Sequence, residues 1–266
     1  MSTLKRMIIT EIENGYNEIT APAKVCQDIV LKAISIGNLR HHITVKGGVV
    51  MRSKTRNIRR ATQDLDMDFL RYPLTDAAID EFVTKMNCLD YIRIERFGNI
   101  EELKQQEYKG KRVHIRIQDS DGYEIESKID LGVHTKFDIS QEEFCFDISF
   151  DNEGVNLLVN SNEQILAEKL RSLLKFGAFS TRYKDVFDIY YLSQHIEHKK
   201  LHACLDSYVF SDNQMRENDI ADIVNRVRNI FSDKLYIKRL SASDKNWTDE
   251  NIATITKNIL SFLDSL

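Results

Sequence analysis

The sequence predicts an α+β protein in which a mixed β-sheet in the first part of the chain is followed by a helical C-terminal bundle. Between residues 113 and 131 apolar and polar residues alternate, which is the period of a half-buried strand. From Ser161 onward the apolar residues recur at helical spacing, and Ser161 with Gln164 has the spacing of a capping box. We therefore predict an α/β core domain over residues 1–160 and a helical domain over residues 161–266.

The composition is that of an ordinary globular protein and limits its partners. The chain has 266 residues, 42% of them hydrophobic and 29% charged, which is enough to bury one large core or two modest ones. A net charge of −4 argues against non-specific coating of nucleic acid, so any such contact should come from a local basic patch. The four cysteines show no metal-ligand spacing, which argues against a zinc site or a disulfide framework. Because no signal peptide or membrane span is recognisable, we expect a cytoplasmic protein without a membrane partner.

The first elements are predicted from apolar spacing and capping residues. A helix is expected over residues 23–36, and a short strand follows over residues 43–46. This strand leads into Gly47 and Gly48, which we predict to form a flexible turn whose N–H groups line an anion-binding concavity. A glycine pair alone, however, usually marks only a turn. Another helix is expected over residues 75–86, where the first residue is a capping threonine.

Residues 64–69 alternate aspartate with apolar residues and are predicted to form a strand. Successive strand residues point to opposite faces, so the aspartates share one face while the apolar residues pack against the core. The aspartates are Asp64, Asp66 and Asp68, and the apolar residues are Leu65, Met67 and Phe69. Neighbouring carboxylates repel one another and aspartate is rare in strands, which suggests that a divalent cation binds here. On the pattern alone, the solvated face of an edge strand is equally favoured.

A β-hairpin is predicted from two alternating runs, residues 113–118 and 123–131, which are joined by a glycine-containing turn. Asp130 lies on the polar face of the second strand. It is therefore placed to join Asp64 and Asp66 as a third carboxylate.

Basic residues are concentrated between the glycine pair and the aspartate strand. They are Arg52, Lys54, Arg56, Arg59 and Arg60, and Lys46 directly before the glycine pair is a sixth. In a chain that is acidic overall, this cluster favours an anionic ligand, and we expect it to form a cationic loop beside the aspartates.

The helical part contains its own charged cluster. Lys169 lies on the margin of the apolar stripe of its helix, where a buried ammonium needs an anionic partner such as a phosphate. Spacing alone favours the alternative that it reaches solvent or pairs with a neighbouring Glu. Asp185 and Asp188 share a helical face, although Asp185 could equally complement the helix dipole. Further helices are expected over about 184–195, 200–210, 216–232 and 248–265, the last one capped by Thr248.

Five short segments, taken together, resemble the AbiEii/AbiGii-type nucleotidyltransferase toxin family. They are Lys-Gly-Gly at 46–48, Arg-Ala-Thr-Gln-Asp-Leu-Asp at 60–66, Lys-Ile-Asp at 128–130, Ala-Glu-Lys-Leu at 167–170 and Arg-Tyr-Lys-Asp-Val-Phe-Asp-Ile-Tyr at 182–190. The resemblance covers residues 21–195 and implies a DNA polymerase β-like nucleotidyltransferase core followed by a helical part. Such proteins serve as toxins in antitoxin-paired, phage-defence systems.

The resemblance also implies which residues form the active site. Asp64 and Asp66 would hold Mg²⁺ (or Mn²⁺), and Asp130 would bind the metal or draw a proton from the nucleophile. An NTP would be the substrate, and Lys169 would act in catalysis by neutralising charge on its triphosphate. The residues implied to bind the nucleotide are Lys46, Gly47, Gly48, Lys169, Arg182, Asp185 and Asp188. The helical domain would thereby complete the active site.

Two departures from the family bear on the substrate. Val49 stands where the family commonly has Thr or Ser, so the glycine segment must rely on N–H groups and nearby cations to hold phosphate. The segment between Gly48 and Asp64 is also long and basic. A basic loop beside the site suits an RNA acceptor such as a tRNA, since RNA is recognised largely through its phosphates and hydroxyls.

Three classes of function remain open from the sequence. The first is a nucleotidyltransferase toxin that modifies RNA or protein and is paired with an antitoxin, such as a winged-helix protein encoded upstream. The second is a small-molecule enzyme that modifies an aminoglycoside-like substrate, against which the basic segment argues. The third is a non-catalytic nucleotide-binding module that acts through a partner, against which the carboxylate set argues.

Overall fold

The computed structural model describes residues 2–103 and 110–266, which form two compact units. Unit 1 is Met1–Asn160 and contains the β-sheet, and unit 2 is Ser161–Leu266 and is helical. The predicted fold class, α+β with a mixed sheet followed by a helical part, is confirmed.

Unit 1 is built from a sheet and the helices that flank it along the chain. The strands are β1 (Ile43–Lys46), β2 (Leu65–Phe69), β3 (Ile92–Leu103), β4 (Gly110–Asp119), β5 (Glu124–Val133), β6 (Glu142–Ile148) and β7 (Asp151–Val159). The helices are α1 (Thr3–Glu13), α2 (Thr20–Ile36), α3 (Gly47–Thr55) and α4 (Asp76–Lys85), and a short 3-10 turn spans Ile58–Arg60.

The described strands form one mixed sheet in the order β3-β4-β5-β2-β1-β7-β6. The pairs β2–β5 and β1–β7 are parallel, and the remaining neighbours are antiparallel. Strand β2 lies in the middle, and its apolar residues Leu65, Met67 and Phe69 are buried as predicted. The aspartates of this strand therefore occupy the opposite face, between β1 and β5.

Most predicted elements of unit 1 are confirmed, but the glycine turn is corrected. Strand β1 has the predicted bounds, and the hydroxyl of Thr75 caps α4 by accepting from the N–H of Ala78 at 3.2 Å. The prediction of a flexible turn at the glycine pair is wrong, because α3 begins at Gly47 itself. The physical reason is the apolar run at 49–51, which is fully buried and packs as the first turn of this helix.

Unit 2 consists of short helices around its own apolar core. They are α5 (Asn162–Phe176), α6 (Tyr183–Leu192), α7 (His198–Leu205), α8 (Ile220–Ser232), α9 (Lys234–Ser241) and α10 (Ile252–Asp264). Ser161 caps α5 as predicted, since its hydroxyl accepts from the N–H of Gln164 at 3.1 Å. Helix α9 was not predicted.

The predicted cap of the last helix is wrong. Asn251 caps α10 by accepting from the N–H of Thr254 at 2.9 Å. The hydroxyl of Thr248 is instead bound to the side chain of Asn246 at 2.8 Å. A local side-chain contact therefore engages Thr248 four residues before the helix begins.

Within residues 2–103 and 110–266, none of the helices combines the length and the apolar character needed to cross a bilayer.

Asp119 ties the start of the chain to the turn of the β4–β5 hairpin. Its buried carboxylate accepts from the backbone N–H groups of Leu4 at 3.0 Å, Tyr123 at 3.0 Å and Asp121 at 3.1 Å. Burial raises the pKa of Asp119, but these backbone donors and Ser2 lower it, and the net result is a pKa below the usual value.

We predict that Asp119→Ala lowers the free energy of unfolding by about 1–3 kcal/mol at neutral pH, because it leaves buried N–H groups without an acceptor. Since the folded-state pKa is depressed, the wild-type advantage is present above pH ~4 and is lost as the pH falls through the folded-state pKa. Urea unfolding of both proteins at neutral and acidic pH measures this difference. A difference that is independent of pH would contradict the role of the ionised carboxylate.

Candidate active site

Three of the predicted site carboxylates lie on one face at the centre of the sheet. Asp66 on β2 and Asp130 on β5 are aligned with each other on adjacent parallel strands. Asp64 immediately precedes β2, and its side chain is 47% exposed. Asp68 lies further along β2 on the same face and is buried. The alternation of the strand and its register with β5 thus bring together carboxylates that are distant in sequence.

Basic side chains neutralise this face. The Lys128 ammonium lies 2.8 Å from Asp64, and the Lys46 ammonium lies 2.6 Å from Asp68. The sequence had suggested that a divalent cation relieves the repulsion between the carboxylates. Cations of the protein itself also supply opposite charge, and the divalent cation stays a prediction.

Arg112 on β4 holds Asp130 through both carboxylate oxygens. Its Nε donates to Oδ1 at 2.7 Å and its Nη2 donates to Oδ2 at 2.8 Å. These hydrogen bonds raise the pKa of Arg112 well above its usual value, and burial offsets only part of the effect. Such a bidentate contact leaves further lone pairs on the carboxylate for another cation.

The donor set fits a magnesium ion that also binds phosphate. In the part of the chain that the structure describes, no three His, Cys, Asp or Glu side chains are grouped so as to hold a metal ion by themselves. Mg²⁺ rarely needs such a cage, since it commonly uses one or two carboxylates together with water and substrate phosphates. Asp64, Asp66 and Asp130 supply oxygen donors of the required kind on one face.

The N-terminus of α3 is packed directly against Asp66. Gly47 has a φ of +67°, and a Cβ added there would overlap the Asp66 carboxylate. A Cβ at Gly48 would lie 2.7 Å from the Oγ1 of Thr62. Only glycines permit this approach, which brings the partial positive charge of a helix N-terminus next to the carboxylates.

The basic segment that follows is not the cationic loop predicted from the sequence. Residues 47–55 are helical, and Arg52 and Arg60 are buried. Arg56 and Arg59 are exposed. Arg52 is instead a structural cation, because its guanidinium donates to the Gln27 side chain and lies 3.8 Å from Asp28.

Gln27, in α2, holds the segment that leads into Asp64. Its fully buried side chain donates to the Thr62 carbonyl at 2.9 Å and lies 3.5 Å from the Asp64 carbonyl. Asp28 is also buried, which raises its pKa, while Lys24 and Arg52 act in the opposite direction. The contacts of Gln27, Asp28 and Arg52 thus connect α2 and α3 to the backbone that leads into Asp64.

In unit 2, Lys169 is buried between two aspartates of α6. Its ammonium lies 2.6 Å from Asp185 and 2.8 Å from Asp188. Asp185 also binds Arg182 at 2.7 Å, and Asp188 accepts from the indole N–H of Trp247 at 3.0 Å. The anionic partners that Lys169 requires are therefore aspartates of the same unit, and its predicted contact with a triphosphate stays a prediction.

The sequence reasoning missed Gln27, Arg52 and Arg112 as parts of the site. Arg112 could have been found, because the turn of the predicted hairpin fixes a register that places it opposite Asp130. No comparable signal exists for Gln27, whose partners are 25 to 37 residues away in sequence.

We predict that Gln27→Leu lowers the free energy of unfolding by about 1–3 kcal/mol, because the buried Thr62 carbonyl loses its donor and Arg52 loses one of its acceptors. Chemical denaturation of the variant measures the loss. Gln194→Leu, at an exposed position in α6's C-terminal flank, is the matched control and should unfold like wild type. Equal stability of Gln27→Leu and wild type would refute the assigned contacts.

We further predict that Lys169→Ala destabilises unit 2 by about 3–5 kcal/mol, because two buried carboxylates lose their shared cation. The melting temperature of the purified protein reports this effect. Lys175→Ala removes an exposed lysine of the same helix and should change the melting temperature little. If both variants melt alike, Lys169 does not hold α5 to α6.

Comparison with known proteins places this chain in a family. The profile of the family described as nucleotidyl transferase AbiEii toxin, type IV TA system, matches residues 29–264. No curated protein shows significant sequence similarity to the chain.

Two solved structures are similar at low sequence identity. One is the crystal structure of an antigenic nucleotidyltransferase-like protein from Paracoccidioides brasiliensis, with 13% identity, a TM-score of 0.47, and coverage of 86% of this chain and 95% of that one. The other is the solution structure of the antibiotic-resistance factor ANT(2'')-Ia, with 14% identity, a TM-score of 0.43, and coverage of 72% and 92%. The match of the family profile over nearly the whole chain shows that this protein belongs to the AbiEii nucleotidyltransferase toxin family, whose type IV toxin–antitoxin systems imply an antitoxin partner.

Proposed function

We propose that this chain transfers a nucleotide from an NTP to an RNA acceptor, with Mg²⁺ or Mn²⁺ held by Asp64, Asp66 and Asp130. One observation carries the proposal. Asp66 is aligned with Asp130 on the neighbouring strand and is also in contact with the glycine N-terminus of α3. Carboxylates and a helix N-terminus at one point suit a metal–phosphate group, because one element attracts the metal and the other the phosphate.

In this proposal different residues of the chain bind different parts of the NTP and its metal. The N–H groups at the start of α3 favour the phosphate oxygens, and Lys46 adds positive charge on the same face. Divalent metal ions, when bound, would lower the barrier by stabilising charge on the attacking and leaving oxygens. Asp64 is the most exposed of the three carboxylates and reaches the ligand with the least rearrangement.

The Arg112 contact favours one of the two roles considered for Asp130. Because the guanidinium donates to both oxygens, Asp130 is held as a fixed acceptor that is suited to bind a cation. A general base would have to take up a proton against this neighbouring positive charge. We therefore assign Asp130 to metal binding and Arg112 to its orientation.

RNA is chosen as the acceptor over an aminoglycoside-like molecule because Lys128, Lys46 and Arg112 offset most of the negative charge of the carboxylates. This offset reduces the attraction of the face for a polycation. The antitoxin implied by the family would counteract this activity, and we propose a winged-helix protein encoded upstream as its source.

The proposal is tested by incubating the purified chain with each labelled NTP, Mg²⁺ and total RNA. We expect the label of at least one NTP to enter RNA and to be absent when EDTA is added. Label in a protein fraction instead would leave nucleotidyl transfer intact and overturn the RNA acceptor. No transfer from any NTP to either fraction would refute the function.

We predict that Asp66→Asn and Asp68→Asn differ in their effects. Asp66→Asn should reduce transfer by more than about 100-fold, since even residues behind a metal ligand typically contribute 10- to 100-fold. Asp68→Asn should retain far more activity but lose about 1–3 kcal/mol of stability, because Lys46 loses its buried partner. Rates of label incorporation and melting curves measure the two effects. Equal loss of activity in the two variants would mean that the metal ligands on β2 were assigned two residues too early.

A further inference from the structure

A cavity of about 370 Å³ opens beside Asp64 on the carboxylate face of unit 1. It lies between the start of α2 and the outer face of strands β3 to β5. Gln63, the neighbour of Asp64, lines it, as does Lys128, whose ammonium binds Asp64 at 2.8 Å. The cavity therefore adjoins Asp64 through its chain neighbour Gln63 and its ion-pair partner Lys128.

The lining of this cavity suits a flat ring. Phe97 and His114 lie on adjacent strands with their ring centroids 5.7 Å apart, and both line the cavity. Ile19 and Pro22 line it from the start of α2, and Ile19 is 69% exposed although it is apolar. An aromatic surface facing apolar side chains binds a nucleobase by stacking without regard to its identity.

The Phe97 ring is held in place by a cation on the same face of the sheet. The Arg116 guanidinium lies 5.0 Å from the centroid of the Phe97 ring, a distance typical of a cation–π contact. Arg116 is fixed in turn by Glu126 at 2.9 Å and Glu124 at 3.4 Å. A ring that is already ordered loses little freedom when a ligand stacks on it.

The charges around the cavity select among ligands that contain a ring. Three charged or polar side chains of the lining are already engaged: Glu126 by Arg116, Lys128 by Asp64 and His114 by Glu101. The carboxylate of the lining is therefore not available to a polycationic sugar. A nucleotide unit of a single strand fits the aromatic surface through its base, and its phosphate takes the place of Asp64 beside Lys128.

We propose that this cavity binds a base of the single-stranded RNA acceptor, so that the adjoining ribose is presented to Asp64 and Asp66. The inference rests on the proposed nucleotidyl transfer and names the place where its acceptor binds. It also moves RNA recognition from the basic segment 52–60, in which Arg52 and Arg60 are buried, to the sheet face.

The test measures binding of a fluorescently labelled single-stranded oligoribonucleotide without NTP or metal, so that it does not depend on catalysis. We expect Phe97→Ala to weaken binding by about 5- to 150-fold, the range for loss of one base–aromatic stack. Phe97→Tyr, which keeps the ring, should bind like wild type. Phe137→Ala removes an exposed aromatic residue outside the cavity and should have no effect.

A second variant keeps the test informative if Phe97→Ala is unstable. Ala23 lines the cavity from α2 and is partly exposed, so Ala23→Phe should fill the space and weaken RNA binding while the sheet stays intact. NTP binding in the presence of Mg²⁺ should be unchanged in both variants.

Three outcomes would overturn the proposal. They are unchanged RNA binding in Phe97→Ala and Ala23→Phe, loss of NTP binding in place of RNA binding, and absence of RNA binding by the wild type. In the last case label transfer to another acceptor would leave nucleotidyl transfer standing. Conversely, the protein could bind RNA in a way that depends on Phe97 and yet show no transferase activity. That result would support RNA binding in the cavity and refute the proposed function.

Discussion

Charge balance on the central face of the sheet is the constraint on which the rest of this structure depends. Asp64, Asp66, Asp68 and Asp130 lie on one face of two adjacent strands, where their mutual repulsion would oppose folding. Lys128, Lys46 and Arg112 each contact a member of this group. The sheet can therefore form before any ligand is present, and the carboxylates are already aligned for the metal and nucleotide proposed to bind there.

The close approach of α3 to β2 is the second determinant of the geometry of the candidate site. Glycine at 47 allows the helix to start with its N–H groups beside Asp66, and a buried apolar run anchors the helix behind it. Gln27 and Arg52 then fix the segment before Asp64 from the other side. The proposed site for phosphate and metal thus depends on backbone packing as much as on the carboxylates themselves.

How far the sequence predicted this structure depends on the distance over which each contact acts. The β4–β5 hairpin, strand β1 and the Ser161 and Thr75 caps follow from local patterns and were predicted. The face shared by Asp185 and Asp188 also follows from helical periodicity, but its contact with Lys169 depends on how two helices pack. The role of Arg52 was missed for the same reason, since an arginine in a basic run looks exposed until α2 is placed against it. The cap predicted at Thr248 was wrong because its hydroxyl binds Asn246, while Asn251 accepts from the N–H of Thr254 at the start of α10.

The central claim, that these carboxylates bind a metal together with a nucleotide, is tested most directly by Mn²⁺ binding followed by electron paramagnetic resonance. The measurement uses the purified chain with and without a non-hydrolysable NTP analogue. The account predicts that wild-type protein binds Mn²⁺ tightly only with the analogue, that Asp66→Asn abolishes this binding, and that the exposed-site control Asp147→Asn preserves it. Binding of Mn²⁺ by Asp66→Asn as tight as that of the wild type would contradict the account.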